Sequence, residues 1–307
     1  MELIRGLYNL QPHHRQCAAT IGSFDGVHGG HQAVIRTLQQ AAKQQGLPAT
    51  LVTFEPLPRE YFRPNEAPPR LTRLREKLRA LSDCGVERVL CLRFGARLAG
   101  LPAADFIRQV LVDGLAIKYL LVGDDFRFGK DRAGNFQLLQ QAGRQYGFTV
   151  AAMDTVDIGG ERVSSTRVRT LLTNGELAQA AQLLGRPYTL SGRVAHGDKR
   201  GRTIGFPTAN IKLFRRCAPL TGVYALEMCW YHTDMHRGVA NIGRRPTVDG
   251  TRLQLEVHLF DFDEDIYGRH VEVEFVRKLR EEQRFESFDA LQAQIRLDAQ
   301  EARAVFA

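Results

Sequence analysis

The sequence predicts an α/β domain with a mostly parallel sheet and helices on both faces, followed by a small antiparallel β-barrel and a closing helix. Three observations predict it. Apolar runs alternate with helical patterns through the first half, which is the mark of a parallel sheet covered on both faces. After Gly185 the texture becomes short strands joined by turns, with little helix between them, which favours an antiparallel sheet or small barrel. The 307 residues exceed one average domain, so two are expected, 1–186 and 187–307, with the boundary near Gly185–Pro187.

The elements follow in order. "CAATIGSF" reads as a buried strand. "HQAVIRTLQQAAKQQG" reads as a helix with Ala33, Val34, Leu38 and Ala41 inward, closed by Gly46. "PATLVTFEP" is a second strand, and "TRLREKLRALSDCG" a helix with Leu74, Leu78 and Leu81 on one side. The alternation continues through "VERVLCLRF", "PAADFIRQVLVDGL", "IKYLLVGDDF", "NFQLLQQAGRQYG" and "FTVAAMDTV". "VSSTRVRTLLTNGELAQAAQLLG" then runs into helix, with Ser164 or Ser165 as the N-cap. The strands of the second half are "RPYTLSGRVAHG", "LTGVYALEMCWYH", "MHRGVANIG", "TRLQLEVHLFDF" and "HVEVEFVRKL". The last helix, "ESFDALQAQIRLDAQEARAVFA", is expected to turn Leu291, Ile295 and Leu297 inward.

Composition narrows the function classes. Hydrophobic content of 44% and charged content of 25% are ordinary for a soluble globular protein. No apolar run is long enough to span a membrane, and "MELIRGLYNLQPHH" lacks a signal-peptide core, so a cytoplasmic protein is expected. Cys17, Cys84, Cys91, Cys217 and Cys229 never form C-x-x-C, so reduced thiols and no zinc site are expected. The net charge of +8 is compatible with nucleic acid, with small polyanions such as ATP, or with a merely soluble basic surface. No long Lys/Arg block or aromatic-interleaved motif appears, so nucleic acid is not expected.

Ligands of parallel α/β folds bind beyond the carboxyl ends of the strands, which points to residues 22–31, 54–62 and 123–129. The first stretch holds Gly22, Gly26, Gly29 and Gly30 around His28 and His31. Glycines let backbone amides approach a ligand, and a helix N-terminus attracts anions. The histidines, three apart, share one face of the first helical turn. Phosphate binding fits this pattern; a metal fragment or a partly exposed cap fits the histidines alone. "SSTRVR" at 164–169 adds three hydroxyls and two guanidiniums, suited to closing over a triphosphate. In the second half, "GRVAHGDKRGRTIGFPTANI" places Lys199, Arg200 and Arg202 among glycines. It is not a Walker A motif, and a basic hairpin loop is the plain alternative. Thr208 and Asn210, two apart in extended chain, offer hard oxygens for Mg²⁺. "LQLEVHLF" puts Leu253, Leu255, Val257 and Leu259 on one face and Gln254, Glu256 and His258 on the other.

"GSFDGVHGGH" resembles the H-x-G-H signature of the nucleotidyltransferase superfamily, and "VSSTRVR" is similar to the I-S-S-T-x-I-R element of its flavin-adenylating branch. "TFEPLPREYF" and "VGDDFRFGKDRAG" resemble that branch too. "HG-x4-GR-x2-GFPTANI", "TGVYA", "NIGRRPTV" and "LEVHLFDFDEDIYG" look like the riboflavin kinase module. Nearly the whole chain therefore resembles the bacterial bifunctional riboflavin kinase/FAD synthetases. Two departures stand out: many members read P-H-P where this chain has Pro56-Leu57-Pro58, and Ile where Val163 stands. No role is assigned to position 57.

The resemblance implies a Rossmann-like nucleotidyltransferase domain followed by a riboflavin kinase barrel. It implies ATP as co-substrate, flavins as substrates and products, and Mg²⁺. In the first half, His28 and His31 become catalytic donors to phosphate oxygens, within an ATP site of Gly22, Phe24, Ser164, Ser165, Thr166 and Arg167. Phe54, Pro56, Phe62 and Phe128, with Phe126 beside them, are candidates for the flavin; ordinary core packing is the alternative for each phenylalanine. Asp124 and Asp125 are candidates for flavin contacts or for turn capping. In the second half, Glu256 is the implied catalytic base. Gly192, His196, Gly197, Lys199, Gly201, Thr208 and Asn210 form the implied kinase ATP site, and Arg280 in "LREEQRF" is a candidate ring contact for riboflavin. The alternatives are another nucleotidyltransferase with a fused barrel, against which the kinase-like motifs argue, and an RNA-binding synthetase-like protein. For the latter, K-M-S-K-S and an anticodon-binding domain are missing. Oligomeric state is not legible.

Overall fold

The computed structural model describes residues 1–153, 157–158, 161–196, 206–230, 234–247 and 250–307. The chain divides into two compact units, Met1–Pro68 with Lys77–Ser164 and Pro69–Glu76 with Ser165–Ala307. The sequence reading draws its boundary near residue 186; by contact, the two helices before that point group with the second unit.

The first part of the chain forms β1 (Glu2–Arg5), β2 (Ala18–Ile21), α1 (Gly29–Gln44), β3 (Ala49–Glu55), α2 (Pro58–Phe62), α3 (Leu74–Asp83) and β4 (Arg88–Arg93). It continues through α4 (Ala96–Ala99), α5 (Ala103–Phe106), β5 (Tyr119–Gly123), α6 (Phe136–Tyr146), β6 (Thr149–Met153), β7 (Asp157–Ile158) and β8 (Glu161–Arg162). Six parallel strands run in the order β1-β4-β3-β2-β5-β6. Leu51, Val52, Val89, Leu90, Leu120 and Leu121 are buried in its middle strands, as a sheet covered on both faces requires. The strand order reverses between β2 and β5. Loops leaving those two carboxyl ends diverge, and that is where open α/β sheets bind ligands. The strand β1 was not anticipated: "ELIR" carries charges at both ends and alternates, because it lies at the sheet edge against β4.

The second unit holds α7 (Ser165–Asn174), α8 (Leu177–Leu184), β9 (Thr189–Ala195), β10 (Ala209–Lys212), β11 (Gly222–Cys229), β12 (His236–Thr247), β13 (Gly250–Leu259), β14 (His270–Arg280) and α9 (Phe288–Val305). The strands close into an antiparallel barrel in the order β10-β13-β12-β11-β14-β9. Closure gives each of the six strands two neighbours. On β13, Leu253, Leu255, Val257 and Leu259 are buried while Gln254, Glu256 and His258 are only partly covered, as the alternation predicts. The helical run from Ser165 is two helices, broken at Gly175, whose φ of +80° suits glycine. The closing helix corrects one expectation. Leu291 and Ile295 are half-covered, but Leu297 is 57% exposed, because the inward face of α9 is carried by Asp298, Ala299 and Ala302.

Residues 69–76 are stitched to the second unit. The Glu76 carboxylate accepts from the Arg215 guanidinium at 2.7 and 2.9 Å, from Ser191 N and Oγ at 3.0 Å each, and from Arg73 N at 2.6 Å. Tyr188 donates to Leu71 O, Arg73 to Leu213 O and Arg169 to Pro69 O. The Arg215 side chain is 3% exposed.

Candidate active sites

The loop after β2 explains its own glycines. Phe24 and Val27 both take positive φ, 48° and 45°, and Gly26 takes 87°. That tight path buries Phe24 and Val27 and returns the chain to the start of α1. A Cβ on Gly22 would meet the Phe24 ring at 2.9 Å, and one on Gly30 would meet the His28 ring at 3.2 Å. The glycines thus make room for the neighbouring rings. His28 occupies the residue before α1, and its ring stacks on His31 at 3.7 Å between centroids, 20° apart. Phe24 lies 5.1 Å from His31. His28 is buried, and the His31 Nδ1 is buried with no hydrogen-bond partner among the described residues. Desolvation holds the His31 pKa well below the usual histidine value, helped by His28 and by the Lys77 ammonium. His31 is therefore poised as a neutral N–H donor near pH 7 rather than as a fixed charge.

Lys77, wholly buried on α3, was missed. Its ammonium donates to Ser23 O at 2.7 Å and lies 3.5 Å from Thr53 Oγ1, tying the loop to β3. The signal was present: a lysine on the same helix face as Leu74, Leu78 and Leu81. Ser164 precedes α7, while Ser165, Thr166 and Arg167 form its first turn in the second unit.

Beyond β3 and β5 lies a cavity of about 670 Å³. Phe54, Phe62 and Phe128 line it, with Phe94, Phe106 and Phe126. Phe126 and Phe128 stack at 5.6 Å. Pro56, Asp124 and Asp125 are not among its lining residues; Asp125 pairs with Arg162 at 3.0 Å. Arg59, Arg63, Arg127 and Arg132 also line it and were not singled out. Arg59, Arg63 and Arg127 flank phenylalanines that were, in "PREYFR" and "FRF". Leu57 is buried, and its N–H donates to Glu60 Oε2 at the start of α2.

In the barrel, Asn210, Glu256 and Asn241 are direct neighbours across β10, β13 and β12. Opposed residues share one face of a sheet, so these polar groups form a row. Asn241 Nδ2 donates to Glu282 Oε1 at 3.3 Å. His258 bonds Pro207 O at 2.9 Å, and its burial lowers its pKa. Thr208 precedes β10 and Asn210 is the cross-strand partner of Glu256, so the segment offers two neutral hard oxygens, the Thr208 hydroxyl and Asn210 Oδ1. That donor chemistry suits Mg²⁺ better than a thiophilic metal. Gly192 is buried in β9, where a Cβ would meet Ile211 Cγ2 at 2.5 Å. His196 packs its ring 3.9 Å from Tyr267. Gly197, Lys199 and Gly201 lie outside the described residues. Arg280 is held by Asp298 through two bonds, 2.8 and 2.7 Å, and lies 5.7 Å from the Phe285 ring centre.

One further cluster, Glu2, His13 and His14, has ligand atoms within 4.8 Å of one another. His14 Nδ1 accepts from Gln11 N at 2.9 Å, which puts its proton on Nε2, facing Glu2 at 2.7 Å. That tautomer serves a hydrogen bond, not a metal.

Residues 10–167 match the FAD synthetase family model, and residues 184–306 match the riboflavin kinase model. The bifunctional riboflavin kinase/FMN adenylyltransferase of Escherichia coli K12 is 53% identical over 307 residues, covering 100% of this chain and 98% of its own length. The proteins of that name from Pseudomonas fluorescens and Haemophilus influenzae are 52% and 49% identical, with coverages of 100% and 98%, and 100% and 99%. A crystal structure described as a macrolide-efflux protein from Streptococcus pneumoniae superposes with a TM-score of 0.80 at 31% identity, covering 99% of each chain. No helix among the described residues is long and apolar enough to cross a membrane. The chain belongs to the family of bifunctional riboflavin kinase/FMN adenylyltransferases.

Proposed function

We infer that this chain makes FAD in two ATP-dependent steps, phosphorylating riboflavin in the barrel (187–307) and adenylylating FMN in the α/β domain (1–186). The observation that carries this reading is that two chemically different constellations fall in separately matched regions: a stacked histidine pair at a helix N-terminus, and a glutamate between two asparagines on a barrel. The substrates are small molecules, and the setting we propose is cytoplasmic, without nucleic acid.

The two steps need different chemistry. Riboflavin's 5′-hydroxyl is a poor nucleophile until it loses its proton, so a base is required. Glu256 takes that proton as the oxygen bonds to the γ-phosphorus and the bridging oxygen leaves with ADP. Thr208 and Asn210 hold Mg²⁺, which neutralises phosphate charge when bound. Gly192, His196, Gly197, Lys199 and Gly201 frame this ATP, and Arg280, steadied by Asp298, borders the flavin ring. The FMN phosphate is already an anion, so adenylylation needs alignment and charge relief. A phosphate oxygen of FMN bonds to the α-phosphorus, and pyrophosphate departs. His28 and His31 donate to phosphate oxygens as charge shifts to the leaving group. Gly22, Phe24 and Ser164 complete that ATP site. The flavin ring lies in the phenylalanine-lined cavity with Phe54, Phe62 and Phe128.

The test is to incubate the protein with riboflavin and Mg·ATP and separate products by chromatography. FMN should appear first and FAD second. A preparation that makes neither contradicts the reading.

A further inference from the structure

The carboxylate of Glu256 has a neighbour that neither motif nor family match assigns a role. Gln254 lies two residues earlier on the same face of β13. Its Nε2 donates to Glu256 Oε1 at 2.9 Å and to Asn210 Oδ1 at 2.5 Å. The donor arithmetic orders the whole set. An ionised carboxylate only accepts, so Gln254 must turn its NH₂ group toward Glu256. The second hydrogen of that NH₂ then faces Asn210, and only the oxygen of an amide can take it. A flipped Asn210 would set NH₂ against NH₂. The orientation of Asn210 is thereby dictated from Glu256 through Gln254.

We propose that Gln254 is a positioning residue of the kinase step: its single NH₂ group locks the Glu256 carboxylate and the Asn210 amide oxygen into one arrangement. Base and hard oxygen donor are then preset together, before substrates bind. The geometry also explains why Gln254 bonds across the strand diagonal, since Asn210 is the register partner of Glu256 and not of Gln254. Leucine at 254 would keep the size but remove the donor that holds the Asn210 amide.

This inference rests on Glu256 being the base and Asn210 a metal-side ligand. Loss of such an outer partner typically costs about 10–100-fold in activity or metal affinity. Gln254→Leu should lower kcat for FMN formation by about that factor. Riboflavin affinity, read by quenching of flavin fluorescence, should stay within about twofold, and so should FAD formation from supplied FMN. Gln254→Glu, which presents an acceptor where a donor is needed, should lose at least as much. In the Asn210→Ala background the Gln254→Leu change should cost clearly less, because one of its two acceptors has gone. A merely structural residue would lower the melting temperature and move riboflavin affinity with kcat. A kcat within twofold of wild type in Gln254→Leu, or full additivity with Asn210→Ala, overturns the proposal. If Glu256→Gln itself keeps FMN formation, the base assignment has failed instead.

Discussion

Replacing Glu76 by alanine removes the carboxylate that answers Arg215. The guanidinium, 3% exposed, would keep Arg70 O at 3.3 Å among its named partners but lose both bonds to Glu76. Ser191 N and Oγ lose their acceptor in the same change. Breaking a buried ion pair from one side costs about 3–5 kcal/mol, because a charge is left uncompensated. For a unit of this size, about 1 kcal/mol moves the melting temperature by roughly 2–4 °C, so a fall of about 10 °C is expected. Calorimetry, paired with residual riboflavin-phosphorylating activity after heating, reads it. Glu76 lies inside the FAD synthetase match, yet the damage should fall on the kinase activity. Removing both charges with Glu76→Leu/Arg215→Met should restore most of the loss, since an apolar pair of similar volume is often neutral. A Glu76→Ala protein that melts within about 1 °C of wild type, with heat-stable kinase activity, refutes the reasoning.

Other outcomes follow from the two sites. His28→Ala and His31→Ala should each slow FMN-to-FAD conversion by about 10²–10³ at an unchanged melting temperature, leaving riboflavin phosphorylation near normal; a rate loss that only tracks melting would mark them as structural. Thr208→Ala or Asn210→Ala should raise the Mg·ATP concentration needed for FMN formation, and unchanged metal dependence in both would remove them as ligands. The His31 pKa is depressed in the folded state, so below about pH 6.5 the unfolded chain binds a proton that the folded one refuses. Stability from this group is present above that pH and is lost as pH falls toward the depressed value. Urea unfolding between pH 5 and 6.5 should show a shallower pH slope in His31→Gln than in wild type, and equal slopes would contradict the assignment.

Much of this was legible because period and chemistry agreed. The alternation along β13 placed Glu256 on the open face, and the glycines placed His28 and His31 at the start of α1. What stayed hidden depended on contacts between distant segments. Edge strand β1 is too short and polar to read. Lys77 interrupts an apolar helix face, and its bond to Ser23 O, 54 residues away, gives the reason. Leu297 looked inward by type, but Asp298, held by Arg280 and Gln294, takes the buried position. The bridge from Gln254 to Asn210 joins strands 44 residues apart, and no local pattern announces it.

The central claim is that one chain carries two separate chemistries, and the Glu256→Gln variant tests it most directly. It should be supplied with Mg·ATP and either riboflavin or FMN, and the products separated by chromatography. FMN formation should fall by about 10²–10⁴, the usual cost of losing a general base, while FAD formation from FMN proceeds at the wild-type rate. Equal loss of both activities in a variant that keeps its fold would contradict the account.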